Sequence, residues 1–280
     1  MVQESTITFQ LFASGYCTAN NKIVNPKAAF KSTRFYAVWA LLKHPNFGNM
    51  LFDCGYNELF YAETQSFPEI LYRFSTPVYM QDRDTAKSII DKNGLKPEDI
   101  DYIIISHFHA DHICALRDFP NARFICNQSS LEEYRTLSRF SAVKKGILKK
   151  LIPTNFEDRL MILQDIATLY IDAVSGLTFY RIFDQDTFQL MELPGHAKGM
   201  LGIQVDLPNK KIIYATDAAW SKGAFVKSIL PMKIVKLFFD SWTDYKKTFE
   251  ALRIYKQEHS DFEILFTHCP ETLIHIENHV

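Results

Sequence analysis

Apolar residues recur along the chain in short runs and alternating patterns, and both kinds of pattern predict β-strands. The patterns form an early and a late group. They predict early strands at residues 6–12, 34–42, 48–53, 100–106 and 121–126, and late strands at residues 178–183, 188–193, 199–206, 210–216 and 263–267. Helical spacing occurs at residues 84–92, before an Asn93-Gly94 stop signal, and at residues 242–259. Two strand groups, each followed by helices, predict a layered α/β protein with sheets packed in the middle.

The stretch between the two strand groups has helical spacing. Leu131, Tyr134 and Leu137 recur at helical intervals, and four lysines follow at Lys144, Lys145, Lys149 and Lys150. We predict a helical insertion over about residues 128–160, within a single domain that spans residues 1–280. Its lysines form either a solvated face or a site for an acidic substrate, and a solvated face is the commoner case.

The apolar residues of the insertion have more than one interpretation. Phe140, Ile147, Leu148 and Ile152 would form a lid over a functional site, pack into the core, or contribute to a homodimer contact. An apolar lid would favour a substrate with an acyl chain.

Composition narrows the class of protein. The 280 residues carry 31 Lys and Arg against 32 Asp and Glu, a formal net charge of −1, and 47% of them are hydrophobic. These values exclude a disordered chain, and the balanced charge argues against a nucleic-acid partner. Aromatic residues reach 14%, so many rings must fill a core, line a pocket or cover an interface.

Cysteine usage and the lengths of apolar runs bear on the compartment. The five cysteines include no CxxC pair and are spread over the chain, at Cys17, Cys54, Cys114, Cys126 and Cys269. This pattern fits a reducing compartment better than a disulfide framework. No secretory signal is visible, and no apolar run approaches the roughly 18 residues of a membrane span. We therefore expect a cytoplasmic protein without a membrane partner.

The most informative segment is Ser106-His107-Phe108-His109-Ala110-Asp111-His112, directly after the strand predicted at residues 100–106. Side chains two residues apart in an extended segment point the same way, so His107 and His109 would converge on one metal ion. If Asp111 begins a helix, Asp111 and His112 would turn towards a second ion. Imidazole and carboxylate ligands suit zinc, iron or manganese.

Further ligand candidates follow three of the late strands. His196 lies in Pro194-Gly195-His196, Asp217 ends Ala215-Thr216-Asp217, and His268 ends Phe266-Thr267-His268. Together with the HxHxDH segment and the Leu51-Phe52-Asp53-Cys54-Gly55 element, this order resembles the metallo-β-lactamase superfamily. The resemblance covers nearly the whole chain and implies a four-layer αββα sandwich with a dinuclear metal site on its rim.

The resemblance also implies how the ligands are divided. His107, His109 and His196 would hold one metal ion, Asp111, His112 and His268 would hold the other, and Asp217 would bridge them. Asp53 and Ser106 are candidates for supporting the ligands from behind. Asp53 has an equally weighted interpretation as a turn residue that caps a strand end. The expected cofactors are two divalent ions, most simply Zn²⁺, with Fe or Mn as alternatives.

The predicted activity is hydrolysis of a small acyl substrate. A hydroxide bridging two ions would attack the carbonyl of a lactone, ester or thioester, and Asp111 would pass a proton to the leaving group. A phosphodiesterase, a mono-iron sulfur dioxygenase of the same fold, and a metal-bound regulatory protein with little catalysis are the alternatives.

The branch with most shared features is that of the acyl-homoserine lactone lactonases. Those enzymes carry a Tyr three residues after the bridging Asp, where its hydroxyl assists the substrate carbonyl, but this chain has Trp220 there. An indole N–H donates a hydrogen bond but is not an acid near neutral pH. Trp220 is therefore either a catalytic donor or a wall of the pocket, and Tyr16 and Tyr56 are candidates to replace the missing hydroxyl.

Overall fold

The computed structural model describes residues 7–183 and 186–276, whose strands form two sheets. The strands are β1 (Thr8–Asn20), β2 (Ser32–His44), β3 (Gly48–Phe52), β4 (Val78–Tyr79), β5 (Ile100–Ile104), β6 (Arg123–Cys126), β7 (Leu160–Ile162), β8 (Ala167–Ile171), β9 (Thr178–Ile182), β10 (Phe188–Glu192), β11 (Leu201–Leu207), β12 (Lys210–Tyr214) and β13 (Phe262–Leu265). The first sheet has the order β4-β1-β2-β3-β5-β6-β7, and the second has the order β13-β12-β11-β10-β9-β8.

Ten α-helices accompany the strands within these described residues. They are α1 (Asn21–Val24), α2 (Leu59–Glu63), α3 (Glu69–Ser75), α4 (Ala86–Lys92), α5 (Ala110–Ile113), α6 (Gln128–Thr136), α7 (Arg139–Lys144), α8 (Leu163–Ile166), α9 (Lys222–Val226) and α10 (Trp242–Glu258). Turns of 3₁₀-helix lie at Asp82–Asp84, Pro97–Asp99, Leu116–Asp118, Lys149–Leu151, Glu157–Arg159, Thr216–Ala218, Lys233–Leu237 and Pro270–His275. None of the described helices is long and apolar enough to cross a membrane.

Both sheets are mixed, and in each sheet the parallel pairs are formed by strands that come later in the chain. In the first sheet β1, β2 and β3 pair antiparallel, whereas β3, β5, β6 and β7 pair parallel. In the second sheet only β12 and β13 are parallel. Parallel neighbours end at the same edge, so the loops after β3 and β5, and those after β12 and β13, are brought close together.

Three buried apolar clusters define the layers. One lies between the sheets and includes Phe52 from β3 and Leu190 from β10. A second packs helices such as α4 onto the outer face of the first sheet, and the third packs α10 onto the second sheet through Tyr245, Phe249 and Leu252. The fold is therefore the expected four-layer αββα sandwich.

The insertion predicted between the strand groups contains α6, α7 and two 3₁₀ turns. Most of its apolar residues face inward, and Ile147, Leu148 and Ile152 belong to the cluster on the outer face of the first sheet. Phe140 is 54% exposed and contacts the ring of Phe67, with centroids 6.1 Å apart. Of the four side chains considered for a lid, Ile147, Leu148 and Ile152 thus pack into the core. Phe140 is the one that is exposed and could form part of a lid.

The strand predictions were accurate except at edges and short elements. Each of the ten predicted strands has a counterpart, although residue 6 lies outside the described residues. The patterns missed β4, β7 and β8, which are all edge strands: β4 and β7 of the first sheet and β8 of the second. They also missed helices α1, α2, α3, α8 and α9, which have four to seven residues each and are too short for a clear 3.6-residue period.

Candidate metal centre

Seven histidine and aspartate side chains meet where strands of both sheets end. His107 and His109 lie in the loop after β5, and Asp111 and His112 lie in the short helix α5. The other three residues, His196, Asp217 and His268, follow β10, β12 and β13. The structure thus brings together all seven residues that the sequence singled out, from positions more than 150 residues apart.

The ligand atoms fall into two groups that share Asp217. The first half of the centre is defined here as His107, His109 and His196 with Asp217, and the second half as Asp111, His112 and His268 with Asp217. Within each half the ligand atoms lie within 4.8 Å of one another. Both halves have the donor types and the clustering that a divalent ion requires.

In the first half, imidazole nitrogens surround one oxygen of Asp217. The Oδ2 atom lies 3.2 Å from Nε2 of His196 and 3.7 Å from Nε2 of His107. Nδ1 of His109 lies 3.0 Å from Nε2 of His196. His109 therefore presents its Nδ1 atom to the centre, whereas His107 and His196 present Nε2.

In the second half, two carboxylates face two imidazoles. Oδ2 of Asp111 lies 3.3 Å from Nε2 of His112 and 3.3 Å from Nε2 of His268. Asp217 reaches the same rings, with Oδ2 at 3.5 Å from His112 and Oδ1 at 3.5 Å from His268. The two oxygens of Asp217 are thus divided so that the residue can contribute to both halves.

Backbone conformation holds two of these ligands in place. Gly195 precedes His196 with a φ of 126°, and a Cβ at Gly195 would lie only 2.1 Å from the backbone nitrogen of Tyr245. Thr216 precedes Asp217 with a φ of 45°, in the left-handed region that non-glycine residues rarely adopt. The Pro194-Gly195-His196 segment therefore needs its glycine, because α10 packs directly against it.

A buried hydrogen-bond chain connects His107 and His112 from behind. Asp53 accepts hydrogen bonds from the backbone nitrogen of Ser106 at 2.8 Å, from Oγ of Ser106 at 2.7 Å and from Nδ1 of His112 at 2.7 Å. Nδ1 of His107 lies 3.0 Å from the same Ser106 Oγ. Since that hydroxyl gives its hydrogen to Asp53, it accepts from His107. Both rings then carry their proton on Nδ1, and both Nε2 atoms face the centre as lone-pair donors.

Asp53 is built into the fold for this contact. It follows β3 with a φ of 62°, and its backbone nitrogen donates to the carbonyl of Ile104 at 2.9 Å. Its side chain is fully buried, and burial raises the pKa of its carboxyl, although His112 and Ser106 counteract that effect. A buried carboxylate with three donors is more than a strand cap.

The other two rings differ in their outer contacts. Nδ1 of His268 lies 3.0 Å from the carbonyl oxygen of Tyr36 and donates to it, which directs Nε2 inward. Nδ1 of His196 is buried and has no hydrogen-bond partner among the described residues. His268 is therefore fixed by β2, whereas His196 is fixed by ring packing against Trp220 and Phe239.

The pKa shifts of the histidines show where the centre favours positive charge. Burial lowers the pKa of His109 to about 3 and that of His107 well below its ordinary value. Burial acts in the same direction on His112 and His268, but neighbouring carboxylates outweigh it and raise both pKa values. The buried carboxylates of Asp111 and Asp217 therefore favour positive charge in the second half, which a bound cation would supply.

Buried polar atoms without hydrogen-bond partners are a second sign that these residues fit two divalent ions. The buried atoms without a hydrogen-bond partner in the described structure include Nε2 of His107, Nε2 of His112 and Oδ1 of Asp217, and all three face the centre. Leaving buried polar atoms unpaired costs free energy that a metal ion would recover. The donor set consists of five imidazoles and two carboxylates, and it suits zinc, iron or manganese.

A scan against protein-family models matches residues 33–258 to the model described as "Metallo-beta-lactamase superfamily". The match covers most of the chain, including His107, His196 and Asp217. The chain belongs to the metallo-β-lactamase superfamily. His268 lies just beyond the matched residues, yet it stands in the second half of the centre.

Relatives and solved structures within the superfamily place the chain near one group of enzymes. The N-acyl homoserine lactonase AttM of Rhizobium radiobacter is 29% identical over 179 residues, which cover 64% of this chain and 61% of that protein. An N-acyl homoserine lactonase of Bacillus cereus is 24% identical over 221 residues, covering 76% of each chain. The match thus spans less than two thirds of the first of these relatives.

Solved structures share the fold over nearly the full length. An N-acyl homoserine lactone hydrolase with N-hexanoyl-L-homoserine bound at its catalytic metal centre matches with a TM-score of 0.68 and 20% identity, covering 96% of both chains. The dizinc quorum-quenching lactonase AidC matches with a TM-score of 0.63 and 16% identity, covering 94% of this chain and 88% of AidC. These likenesses confirm the sandwich fold.

Trp220 lies against both halves of the centre. Its ring centroid is 5.5 Å from that of His196 and 6.5 Å from that of His268, with the rings edge to face. Its Nε1 atom is buried and has no partner among the described residues. A buried N–H donor without an acceptor, placed beside the centre, is available to a ligand.

The two tyrosines proposed to replace the missing hydroxyl have different surroundings. Tyr16 stacks on Tyr79 and packs at a tilt against Tyr36, with Arg34 over its ring. Tyr56 is 1% exposed and its ring packs against Phe60; burial raises the pKa of its hydroxyl, and the Asp111 carboxylate adds to the rise.

The patterns missed Tyr72 of α3, whose hydroxyl shares a hydrogen bond with that of Tyr56. Burial raises the pKa of Tyr72, and the nearby Asp111 carboxylate adds to the rise. A Cβ at Gly146 would lie 3.5 Å from the Tyr72 ring and 3.3 Å from that of His109, so the two rings flank this glycine. Because α3 is too short to show periodicity, only its position beside the insertion could have indicated Tyr72.

Two of the four lysines of the insertion are paired with carboxylates within the protein. Lys145 pairs with Glu133 and, at 2.9 Å, with Asp240. Lys150 lies 3.7 Å from Glu63, Lys149 lies over the ring of Tyr134, and Lys144 is exposed. The ion pairs at Lys145 and Lys150 leave less positive charge for a phosphate substrate.

Proposed function

We propose that this protein is a metal-dependent hydrolase of acyl substrates and that an N-acyl homoserine lactone is the substrate type that suits it best. The observation that carries the proposal is the convergence of two buried ligand groups on the shared residue Asp217. The names of the relatives add the substrate class, since AttM and the Bacillus cereus protein are N-acyl homoserine lactonases.

We assign the seven residues His107, His109, Asp111, His112, His196, Asp217 and His268 as metal ligands, with Zn²⁺ as the ion in both halves. Two bound ions would supply an activated water as nucleophile and would polarise the carbonyl oxygen. The protein's own part is to hold the Nε2 atoms of His107 and His112 deprotonated, which the chain through Ser106 and Asp53 supports.

Asp111 is the candidate for moving a proton to the leaving group. Its Oδ2 atom lies at 3.3 Å from two imidazoles, and its side chain is 9% exposed, so it stands at the boundary between the ligands and the opening. Burial raises the pKa of its carboxyl, but the neighbouring rings of His112 and His268 outweigh burial and lower it to about 2. A carboxylate kept ionised at this position would accept the proton that the nucleophile loses.

Trp220 and Tyr72 are the candidates for contacting the substrate. The indole N–H of Trp220 would donate to the acyl or lactone carbonyl, in place of the tyrosine hydroxyl that the lactonases carry. Tyr72, Phe67 and Phe140 would line the path of the acyl chain, which makes the insertion a wall with one exposed lid residue. A cytoplasmic location, and a homodimer through the insertion, are proposals of the same kind.

A metal assay followed by a substrate panel tests the function. The purified chain would be analysed for bound metals and then assayed on N-acyl homoserine lactones, p-nitrophenyl esters, thioesters and bis-p-nitrophenyl phosphate. We expect about two ions per chain and turnover that is highest on the lactones.

Other results would reassign the protein. Turnover of the phosphodiester alone would make it a phosphodiesterase, and a single iron with sulfur-oxidising activity would make it a dioxygenase. Two bound ions with no turnover on any of these substrates would favour a regulatory role.

A further inference from the structure

Two segments of the chain carry basic residues and no acidic ones. Residues 5–52 contain no Asp or Glu, and neither do residues 218–239. Their exposed and half-exposed basic side chains, apart from Lys43 and Lys222, are Lys22, Lys27, Lys31, Arg34, Lys227, Lys233 and Lys236. The net charge of −1 for the whole chain conceals this local concentration.

The two segments lie side by side. The backbone nitrogen of Met232 donates to the carbonyl of Ile23 at 2.9 Å, and Ile23 packs against the apolar cluster beneath the second sheet. Residues 22–34 and 226–238 therefore adjoin at this contact, and we call them together the basic face.

The basic face also exposes large apolar side chains. Between the lysines lie Phe30, Val226, Met232, Ile234, Leu237 and Phe238, each with 39% to 82% of its surface exposed. The turn Lys233–Leu237 is anchored by buried Val235, which leaves Ile234 and Leu237 pointing outward beside Lys233 and Lys236. A monomeric surface rarely exposes so many large apolar groups together without a partner.

The positive charges of this face are not neutralised within the protein. None of its seven basic side chains forms an ion pair with any described residue. Lys222 is left out of the face because it pairs with Glu263 at 3.4 Å. Arg34 contacts only aromatic groups, donating to the hydroxyl of Tyr36 and lying over the Tyr16 ring.

The face adjoins the metal centre on two sides. Phe35, next to Arg34, packs against the ring of His268 at 5.9 Å, and Phe239, next to Phe238, packs against that of His196 at 5.0 Å. Whatever covers the basic face therefore lies beside residues that pack against the metal centre.

We propose that the basic face docks the protein onto an anionic lipid surface; this peripheral contact needs no membrane span and departs from the sequence-based expectation of no membrane partner. Lysines interspersed with exposed Phe, Leu and Ile are the chemistry of interfacial membrane binding, in which apolar groups enter the headgroup boundary and basic groups contact anionic lipids. A second copy fits less well, because a two-fold contact would oppose two faces of the same positive charge.

Vesicle binding by the full-length protein tests the proposal. Co-sedimentation would be compared on phosphatidylcholine vesicles and on vesicles in which about one third of the lipid is phosphatidylglycerol. We expect binding to the anionic vesicles only, weakened at about 1 M NaCl because screening removes the electrostatic part. This readout is independent of the proposed function, which is assayed with a water-soluble substrate.

Two variants of the face and one matched control locate the contact. Lys233→Glu with Lys236→Glu should weaken binding at least about tenfold, and Ile234→Ser with Leu237→Ser should weaken it at unchanged charge. The control, Lys87→Glu with Lys96→Glu, makes the same charge change at exposed positions outside the face and should retain binding. Because all of these side chains are exposed, the melting temperature should not change in any variant.

Clear outcomes would overturn the proposal. Equal sedimentation with both vesicle types, or equal loss in the control variant, would show that the face does not recognise anionic lipid. A stable dimer that dissociates in the Ile234→Ser and Leu237→Ser variant, without vesicle binding by the parent protein, would assign the face to a second copy.

Discussion

In the first half of the metal centre, three imidazoles face one carboxylate, and within the described residues only His107 has an outer polar partner, the hydroxyl of Ser106. In the second half, two carboxylates face two imidazoles, and each imidazole is fixed from behind. His112 is held by the buried carboxylate of Asp53, and His268 by the carbonyl of Tyr36. The second half therefore has more negative charge and firmer support.

This difference has a consequence for metal binding. A divalent ion gains more from two carboxylates than from one in a buried setting, and oriented ligands lose less entropy on binding. We therefore expect the ion of the second half to be held more tightly, and the ion of the first half to be lost first when metal is limiting.

The largest effect is expected from removing two ligands of the first half. His107→Ala with His109→Ala leaves only His196 and Asp217 there, so that ion should be lost and turnover should fall at least about a thousandfold. Metal content measured by mass spectrometry should fall to one ion per chain or fewer. Full activity in this double variant would refute the proposed centre.

The next effect comes from the support of the second half. Asp53→Asn removes the charge that orients His112, and we expect metal affinity and activity to fall about 10- to 100-fold. Titration with a chelator should show the order of loss reversed, with the second half now the weaker one. The matched control is Asp118→Asn, which changes a half-buried aspartate bonded to Asn57, away from the centre. An unchanged order of loss would contradict the comparison.

The seven ligand candidates could be predicted from the sequence, whereas the contacts that support them could be predicted only in part. The HxHxDH spacing and the three strand-end positions picked out all seven side chains that the structure brings together in the two halves, because positions at strand ends follow from local sequence order. Asp53 was found only as one of two interpretations, since nothing in Phe52-Asp53-Cys54 reveals that parallel pairing of β3 and β5 brings it to Ser106.

Contacts between distant segments could not be predicted from patterns. The rings of Tyr72 and His109 lie on either side of Gly146, and the carbonyl of Tyr36 in the first sheet accepts from His268, which follows a strand of the second sheet. The basic face was hidden for a different reason. The net charge of the whole chain is close to zero and does not reveal a local excess of basic residues, and the two segments are joined by a contact between Ile23 and Met232 that the sequence does not show.

A smaller effect is expected from the support of the first half. Ser106→Ala removes the hydroxyl that accepts from His107 but keeps the backbone hydrogen bond to Asp53. We expect metal affinity in the first half to fall about tenfold, with little change in the second half, because His112 still contacts Asp53 directly. Chelator titration of the Ser106→Ala and Asp53→Asn variants side by side would separate the two supports. Equal weakening of both ions by Ser106→Ala would mean that the hydroxyl stabilises Asp53 more than His107.

The smallest effect is expected at Trp220, whose ring lies nearer to His196 of the first half than to His268 of the second. If its buried N–H donates to the substrate carbonyl, Trp220→Phe should lower kcat/KM by about tenfold, the value of one hydrogen bond, without changing metal content.

Trp242→Phe is the control, because Trp242 stacks on Tyr245 in the apolar cluster around α10. Trp220→Tyr should recover the activity, since a hydroxyl again donates from this wall. Unchanged kinetics in Trp220→Phe, with metal content intact, would show that the indole only packs against His196 and that the carbonyl is bound from the second half.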